Sequence, residues 1–351
     1  MSSEQMKARI SAQPESLRKV LEYQCGPGAD ALLKAAALIG SRRQVVITGM
    51  GASYYAALPL ESYLCRLGMN AIAVEAGELL HFRSNAYRDS VVVAVSRSGE
   101  SIEIAKLLIA MKGKQPIIGI TNLPESSLAR GADVAISIQS QSDDIVALQT
   151  YTGTLLALAL LGSAVVEELA RAKSEVEGFL PAFEERVASS LGSTLEWDEF
   201  LSPGTSLYLL ARGGSYGSAL EGALLFHEVA KASAVAMPTA SFRHGPVEVV
   251  DANFRAFIFA PQDTTQPLNA ALAQDLVRFG GQVRVIGPAD QNLISLPLLE
   301  TPKLNSLFAP TFEIVPVQAA ALRLAEIRDI VPGGFRFAPP VALDEASFGQ
   351  L

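Results

Sequence analysis

The chain is poor in the residue types that announce specialised chemistry. Its 351 residues include two cysteines, three histidines and one tryptophan. Cys25 and Cys65 fit neither a disulfide framework nor a zinc spacing, so a reducing compartment is the simplest reading. His81, His227 and His244 form no HxH or HExxH pattern, and no metal site is expected. No basic run is present, the formal net charge is −8 and the pI is about 5.1. That balance disfavours a nucleic-acid partner and leaves small molecules or proteins. The opening segment, MSSEQMKARISAQPE, lacks the apolar core of a signal peptide. The most apolar helical stretch, TLLALALLGSAVV at 154–166, is shorter than the ~20 residues a membrane span needs. It reads as a core helix, and the protein as soluble and cytoplasmic with no membrane partner. No GxxxxGK[ST] loop occurs, which argues against a nucleoside triphosphate site. GMGASY at 49–54 also fails the dinucleotide fingerprint, because Tyr54 stands where the third small residue belongs. No cofactor is expected.

What is abundant is apolar sequence in short, punctuated runs. Hydrophobic residues make up 49% of the chain and charged residues 18%, which suits large cores and excludes disorder. Helices are predicted over 14–23 and 31–40, the second with Asp30 placed to cap it. Strands are predicted at 44–48, 70–74, 90–95, 116–121 and 132–138, with helices from the 49–53 turn to about 67 and over 102–112. A long helix is predicted over 154–171. This alternation implies βαβ units and a parallel sheet. The segment 173–203 is charged, helical in pattern, and holds Trp197.

The pattern then starts again. SLYLLARGGSYGSALEGALL, from 206, matches QVVITGMGASYYAALPLESYL, from 44, at a shift of 162 positions. Gly51 meets Gly213, Ser53 meets Ser215, Tyr54 meets Tyr216 and Ala57 meets Ala219. Apolar runs at 255–261 and 282–288 and a long helix over 311–329 follow. The expected fold is α/β, with two tandem doubly wound parallel-sheet domains, each a three-layer αβα sandwich. Residues 1–172 would form N-terminal helices plus the first domain, 173–203 a helical connection, and 204–351 the second domain plus a tail.

One strand end stands out. VVVAV at 91–95 stops at Ser96-Arg97-Ser98-Gly99-Glu100-Ser101, with a helix predicted to begin near Gly99. In open α/β sheets ligands sit outside the carboxyl ends of strands. Free N–H groups at a helix start, three hydroxyls and a glycine allowing close approach would cradle a phosphate or carboxylate. Arg97 would add charge or point to solvent. The same turn reads equally as a capped helix, with Ser98 as N-cap and Glu100 and Glu103 complementing the dipole. The small-residue turn at 49–53 ends another strand in the same style, and the pair favours the anion reading.

These residues resemble the sugar isomerase (SIS) domain family. Gly51-Ala52-Ser53-Tyr54, then VSRSGES, then ALEGALLFHE and RHGP occur in the family's order over nearly the whole chain. The tandem arrangement is similar to the isomerase half of glucosamine-6-phosphate synthase and to the amino-sugar and fructosamine phosphate deaminase–deglycase group. The resemblance implies a flavodoxin-like fold and a phosphosugar ligand. It implies a phosphate cradle of Ser96, Arg97, Ser98 and Ser101 beside Gly51, Ala52 and Ser53. It also implies a proton-transfer glutamate at Glu228, a further acidic site residue at Glu221, and a ring-opening histidine at His244. In relatives that histidine reaches the neighbouring subunit's site, so a homodimer is expected. Read from the residues alone, Glu221 and Glu228 are also what a solvated helical stripe looks like. His244, before Gly-Pro, would equally be a surface histidine. Tyr54, Tyr151 and Thr152 line the pocket or pack the core. His227 and His81 receive no role.

The family's usual glutamine is Arg97 here and its usual threonines are Ala52 and Ser101; two further departures from the family bear on the chemistry. Its Schiff-base lysine near the C-terminus has no counterpart, since Lys303 is the last lysine and Pro340 stands roughly at that place. A further site lysine is Leu225 here. Amine transfer is therefore disfavoured. Enediol isomerisation, or deamination or deglycation of an amino-sugar phosphate, is favoured instead. The alternatives are a non-catalytic phosphosugar sensor and an ammonia-dependent aminotransferase subunit.

Overall fold

The computed structural model describes residues 1–143, 145–201, 206–337 and 341–345, the side chains of 194–196 excepted. By its internal contacts the chain divides into two compact units. One, here the first, is Glu15–Leu180 with Phe335–Leu351; the second is Met1–Pro14 with Pro181–Gly334. The chain opens on α1 (Ser3–Ser11), a helix the sequence pattern did not suggest, with Ser2 and Gln5 forming a capping box.

The first unit contains α2 (Gln13–Gln24), α3 (Ala29–Gly40), β1 (Gln44–Gly49), α4 (Ala52–Arg66) and β2 (Asn70–Glu75). It continues through α5 (Ala76–Glu78), β3 (Val91–Val95), α6 (Ile102–Met111), β4 (Ile117–Thr121), α7 (Ser127–Gly131), β5 (Val134–Ser137) and α8 (Gln149–Val165). Its sheet has the order β2-β1-β3-β4-β5, all parallel. Every residue of β3 and β4 is buried, the signature of central strands covered on both faces. Two expectations need correction. Asp30 lies inside the first turn of α3, whose N-cap is Gly28, so the helix starts two residues earlier than its capping residue suggested. The long helix over 154–171 is instead α8, which starts at Gln149. It ends where Glu167 takes a left-handed conformation (φ 61°), and α9 (Leu169–Gly192) then begins.

After α9 come α10 (Thr194–Phe200), β6 (Ser206–Ala211), α11 (Ser215–Ala230), β7 (Ala234–Pro238) and α12 (Thr239–Phe242). The second unit is completed by β8 (Phe254–Phe259), α13 (Gln266–Arg278), β9 (Gln282–Pro288), β10 (Leu298–Thr301) and α14 (Ala309–Ile327). Its sheet order is β10-β9-β8-β6-β7, again parallel. Read from the other edge, this is the order of the first sheet, counterpart for counterpart. Two parallel five-stranded sheets with flanking helices are thus the expected fold class. Trp197 is a core residue of the second unit: its ring lies 5.9 Å from that of Phe257, which also packs against Phe200 and Phe226. Both cysteines are free thiols, and among the described residues no helix is long and apolar enough to cross a membrane.

Candidate functional site

β1 and β3 are neighbours in the first sheet, and the chain leaves them in opposite lateral directions. That reversal opens a crevice at the carboxyl ends of the two strands. Both sequence-predicted loops lie there. A Cβ at Gly49 would come 2.8 Å from the carbonyl oxygen of Val95, so only glycine lets the two strand ends approach this closely. Gly51 is left-handed (φ 49°) and is the N-cap of α4. Ala52 opens that helix and Ser53 follows, half-buried, its N–H donating to the Met50 carbonyl at 3.1 Å.

The Ser96–Ser101 loop is held from inside. Ser96, buried at the end of β3, accepts from the Gly99 N–H at 3.1 Å. Its hydroxyl also lies 3.1 Å from that of Ser101. Ser98 Oγ accepts from the Glu100 N–H at 3.2 Å. Helix α6 begins at Ile102, as the predicted 102–112 span has it and not near Gly99, and its N-cap is Ser101, not Ser98. The Ser101 hydroxyl makes no capping bond. Glu100 also departs from the capped-helix reading. Its carboxylate accepts from the Ser127 N–H at 2.7 Å, opening α7, and this bond holds its pKa below the usual value. Glu103 does lie in the first turn of α6. Arg97 directs its guanidinium to the Ile145 carbonyl at 3.2 Å, while its own carbonyl accepts from Thr121 Oγ1 and the Asn122 N–H.

Gly99 is the conformational key of the loop. Its φ is +65°, and a Cβ there would lie 2.2 Å from Ser126 Oγ and 2.5 Å from Ser126 Cβ. Ser126 caps α7 through the Ala129 N–H and cannot move away without breaking that cap. Left-handed strain and overpacking each contribute about 1–3 kcal/mol. Gly99→Ala is therefore expected to lower stability by about 2–4 kcal/mol. Urea unfolding measures this, and a loss under 1 kcal/mol would contradict the packing described.

One feature had no signal in the sequence. The carboxyl-terminal tail, which belongs to the first unit, meets α6: the Ile102 N–H donates to the Ala342 carbonyl at 3.1 Å. Glu345 then pairs with Lys106 and with His81 Nε2. Pro340 lies outside the described residues.

The remaining predicted residues belong to the second unit. Glu221 and Glu228 are both on α11, yet not as a solvated stripe. Glu221 is buried and Glu228 half-buried. Leu225, between them, is fully buried. His227 is exposed and meets the backbone of Ala234. His244 is exposed, in the loop after α12, where Gly245 has φ 117°. In the first unit, Tyr151 and Thr152 are buried on α8 and Tyr54 is half-buried. The first unit thus brings the hydroxyl loops together, and the second carries both glutamates and the histidine.

Comparison with known proteins places the chain in a family and matches its fold. A family model described as SIS domain matches residues 38–166 and 200–297. The isomerizing glutamine–fructose-6-phosphate aminotransferase of Pyrobaculum aerophilum is 29% identical over 339 residues, covering 93% of this chain and 55% of its own length. The chain therefore spans about half of that relative. Among solved structures, the C-terminal domain of glucosamine-fructose-6-phosphate aminotransferase from Francisella tularensis superposes with a TM-score of 0.79 at 24% identity, covering 93% of this chain and 96% of that one. Tagatose-6-phosphate ketose/aldose isomerase from Escherichia coli gives 0.77 at 18% identity, with 97% and 99% covered.

Proposed function

The chain belongs to the SIS domain family, and we propose that it is a phosphosugar enzyme that interconverts aldose and ketose forms of a hexose 6-phosphate. An amino-sugar or fructosamine 6-phosphate, deaminated or deglycated by the same proton transfer, belongs to the same reading. The observation that carries it is the Ser96–Ser101 loop at the chain reversal of the first sheet. Hydroxyls of Ser96, Ser98 and Ser101, with Ser53 on the adjacent turn, suit a phosphate without needing a lysine. Glu228 is assigned the transfer of a proton between C1 and C2, through an enediol or enamine. His244 is assigned ring opening, which needs a proton shuttled between the ring oxygen and O1. Its exposure suits action across the two-fold interface of a homodimer. The chain's two free thiols suit a cytoplasmic enzyme.

One observation favours a second reading. Leu225, fully buried, takes the place of a family site lysine, and no lysine follows Lys303. A phosphosugar-binding protein without turnover would need neither.

A thermal-shift screen separates these readings. Glucose, fructose, glucosamine, galactosamine, tagatose and fructosamine 6-phosphates would be compared with inorganic phosphate. One sugar phosphate is expected to raise Tm well beyond phosphate, to lose that effect in Ser98→Ala, and to be turned over. Binding without turnover across the panel would favour the sensor. No shift by any compound would end the phosphosugar reading. Light scattering on the same sample reads the dimer, and a monomer at micromolar concentration would exclude His244 acting in trans.

A further inference from the structure

The turn after β6 repeats the turn after β1. Gly213 is left-handed at φ 54°, and Gly51, its counterpart in the repeat, is left-handed at φ 49°. Ser215 opens α11 in the second unit, while Ser53 lies in the first turn of α4 in the first. Each turn follows a strand at the chain reversal of its own sheet. In each unit the helix after the turn packs on the last long helix, α4 on α8 and α11 on α14.

The two turns differ in what faces them. Ser215 Oγ donates to Glu313 Oε1 at 2.7 Å, and Ser218 Oγ donates to Glu313 Oε2 at 2.7 Å. Glu313, on α14, is 1% exposed. Its counterpart at the same shift is Tyr151 in the first unit, which carries no carboxyl group. The other half of the cradle has also changed. Where the first unit has Ser-Arg-Ser-Gly-Glu-Ser, the loop between β8 and α13 reads Ala-Pro-Gln-Asp-Thr-Thr. Asp263 in that loop accepts from Thr265 N–H and Oγ1, both at 2.7 Å, and is near enough to act on the Glu313 charge.

We propose that Glu313 is an internal ligand of the second unit: its carboxylate fills the turn that repeats the anion turn of the first. An external anion is thereby kept out, and the chain takes up a single phosphosugar, in the first unit. A fully buried carboxylate that gains two hydroxyl donors and, among the described residues, no cation is otherwise an expensive arrangement. Serine hydroxyls aimed at both of its oxygens supply what a bound anion would receive. Asp263 adds repulsion against any second negative group. The count of one phosphosugar rests on the reading under Proposed function; the identity of Glu313 as the occupant does not.

Glu313→Ala removes the group from Cγ outward, which is an acetate ion in size and charge. Melting would be followed at pH 8 in sodium acetate and in sodium chloride of equal ionic strength. Acetate is expected to raise the Tm of Glu313→Ala above its value in chloride. It should do so neither for the unaltered protein nor for the variant that also carries Ser215→Ala and Ser218→Ala. If Glu313→Ala does not stay folded in chloride, the yield on refolding in acetate against chloride is read instead. Equal behaviour in the two salts, or equal rescue of the triple variant, overturns the assignment. Calorimetric titration with the sugar phosphate found by the screen should give one site per chain, abolished by Ser98→Ala. Two sites, or binding that survives Ser98→Ala and is lost with Ser215→Ala, overturns the exclusion. No binding at all overturns the phosphosugar reading alone, and acetate rescue still decides the role of Glu313.

Discussion

Glu228→Gln is expected to lower kcat on the sugar phosphate by about 10²–10⁴-fold, the range that general-base catalysis supplies. KM should change little, because the amide keeps the size and hydrogen-bonding reach of the carboxyl group and loses only its basicity. The half-buried setting of residue 228 makes the replacement compatible with folding. A matched measurement of kcat, KM and thermal shift with the same sugar phosphate separates the effects. Retained binding with lost turnover supports the proton-transfer role. Undiminished kcat removes Glu228 from the chemistry and shifts attention to Glu221 on the same helix.

Glu313→Gln is expected to make stability less dependent on pH. Burial raises the Glu313 pKa from 4.5 to about 7, opposed by the hydrogen bonds from Ser215 and Ser218 and reinforced by Asp263. Below pH 4.5 the group is protonated in both folded and unfolded chains and affects neither. As pH rises to about 7, the unfolded chain releases a proton that the folded chain retains, so folding loses stability across that window. The loss is about 3 kcal/mol, complete above the folded pKa. Glutamine cannot ionise and escapes it. Relative to the unaltered protein, the variant should therefore gain about 3 kcal/mol between pH 4.5 and pH 8. Urea unfolding at both pH values gives this difference directly. A stability difference that stays constant with pH would mean that Glu313 has the same pKa in the folded as in the unfolded chain and that burial does not raise it.

The central strands were plain in the sequence because their chemistry is local. Val91–Val95 and Ile117–Ile120 are runs without a polar side chain, and a strand covered on both faces needs nothing else. The edge strands β7 and β10 were not, because Ala234–Pro238 and Leu298–Thr301 are only partly covered and carry no such run. The start of α8 lies upstream of its apolar run for a related reason. Buried Asp143 accepts from the N–H groups of Leu148 and Thr150 and from Thr150 Oγ1, and this side chain, six residues before the first residue of the helix, brings the helix start forward.

The hydroxyl loop was legible for what it contains, since serines and a glycine after a buried strand form a contiguous signal. The left-handed Gly99, wedged against Ser126, adds only the reason that no other residue fits. The shift of 162 positions likewise announced two related turns from residue identities alone. What occupies the second turn was invisible. Glu313 is 98 residues from Ser215 and 95 from Ser218, inside a helix whose own pattern is apolar. Ala342 is more remote still from Ile102 along the chain. Periodicity and motif report on neighbours along the chain. A carboxylate meets two hydroxyls, or a tail carbonyl meets a helix start, only when separate elements pack side by side. That proximity is set by the tertiary fold, and no local pattern in the chain records it.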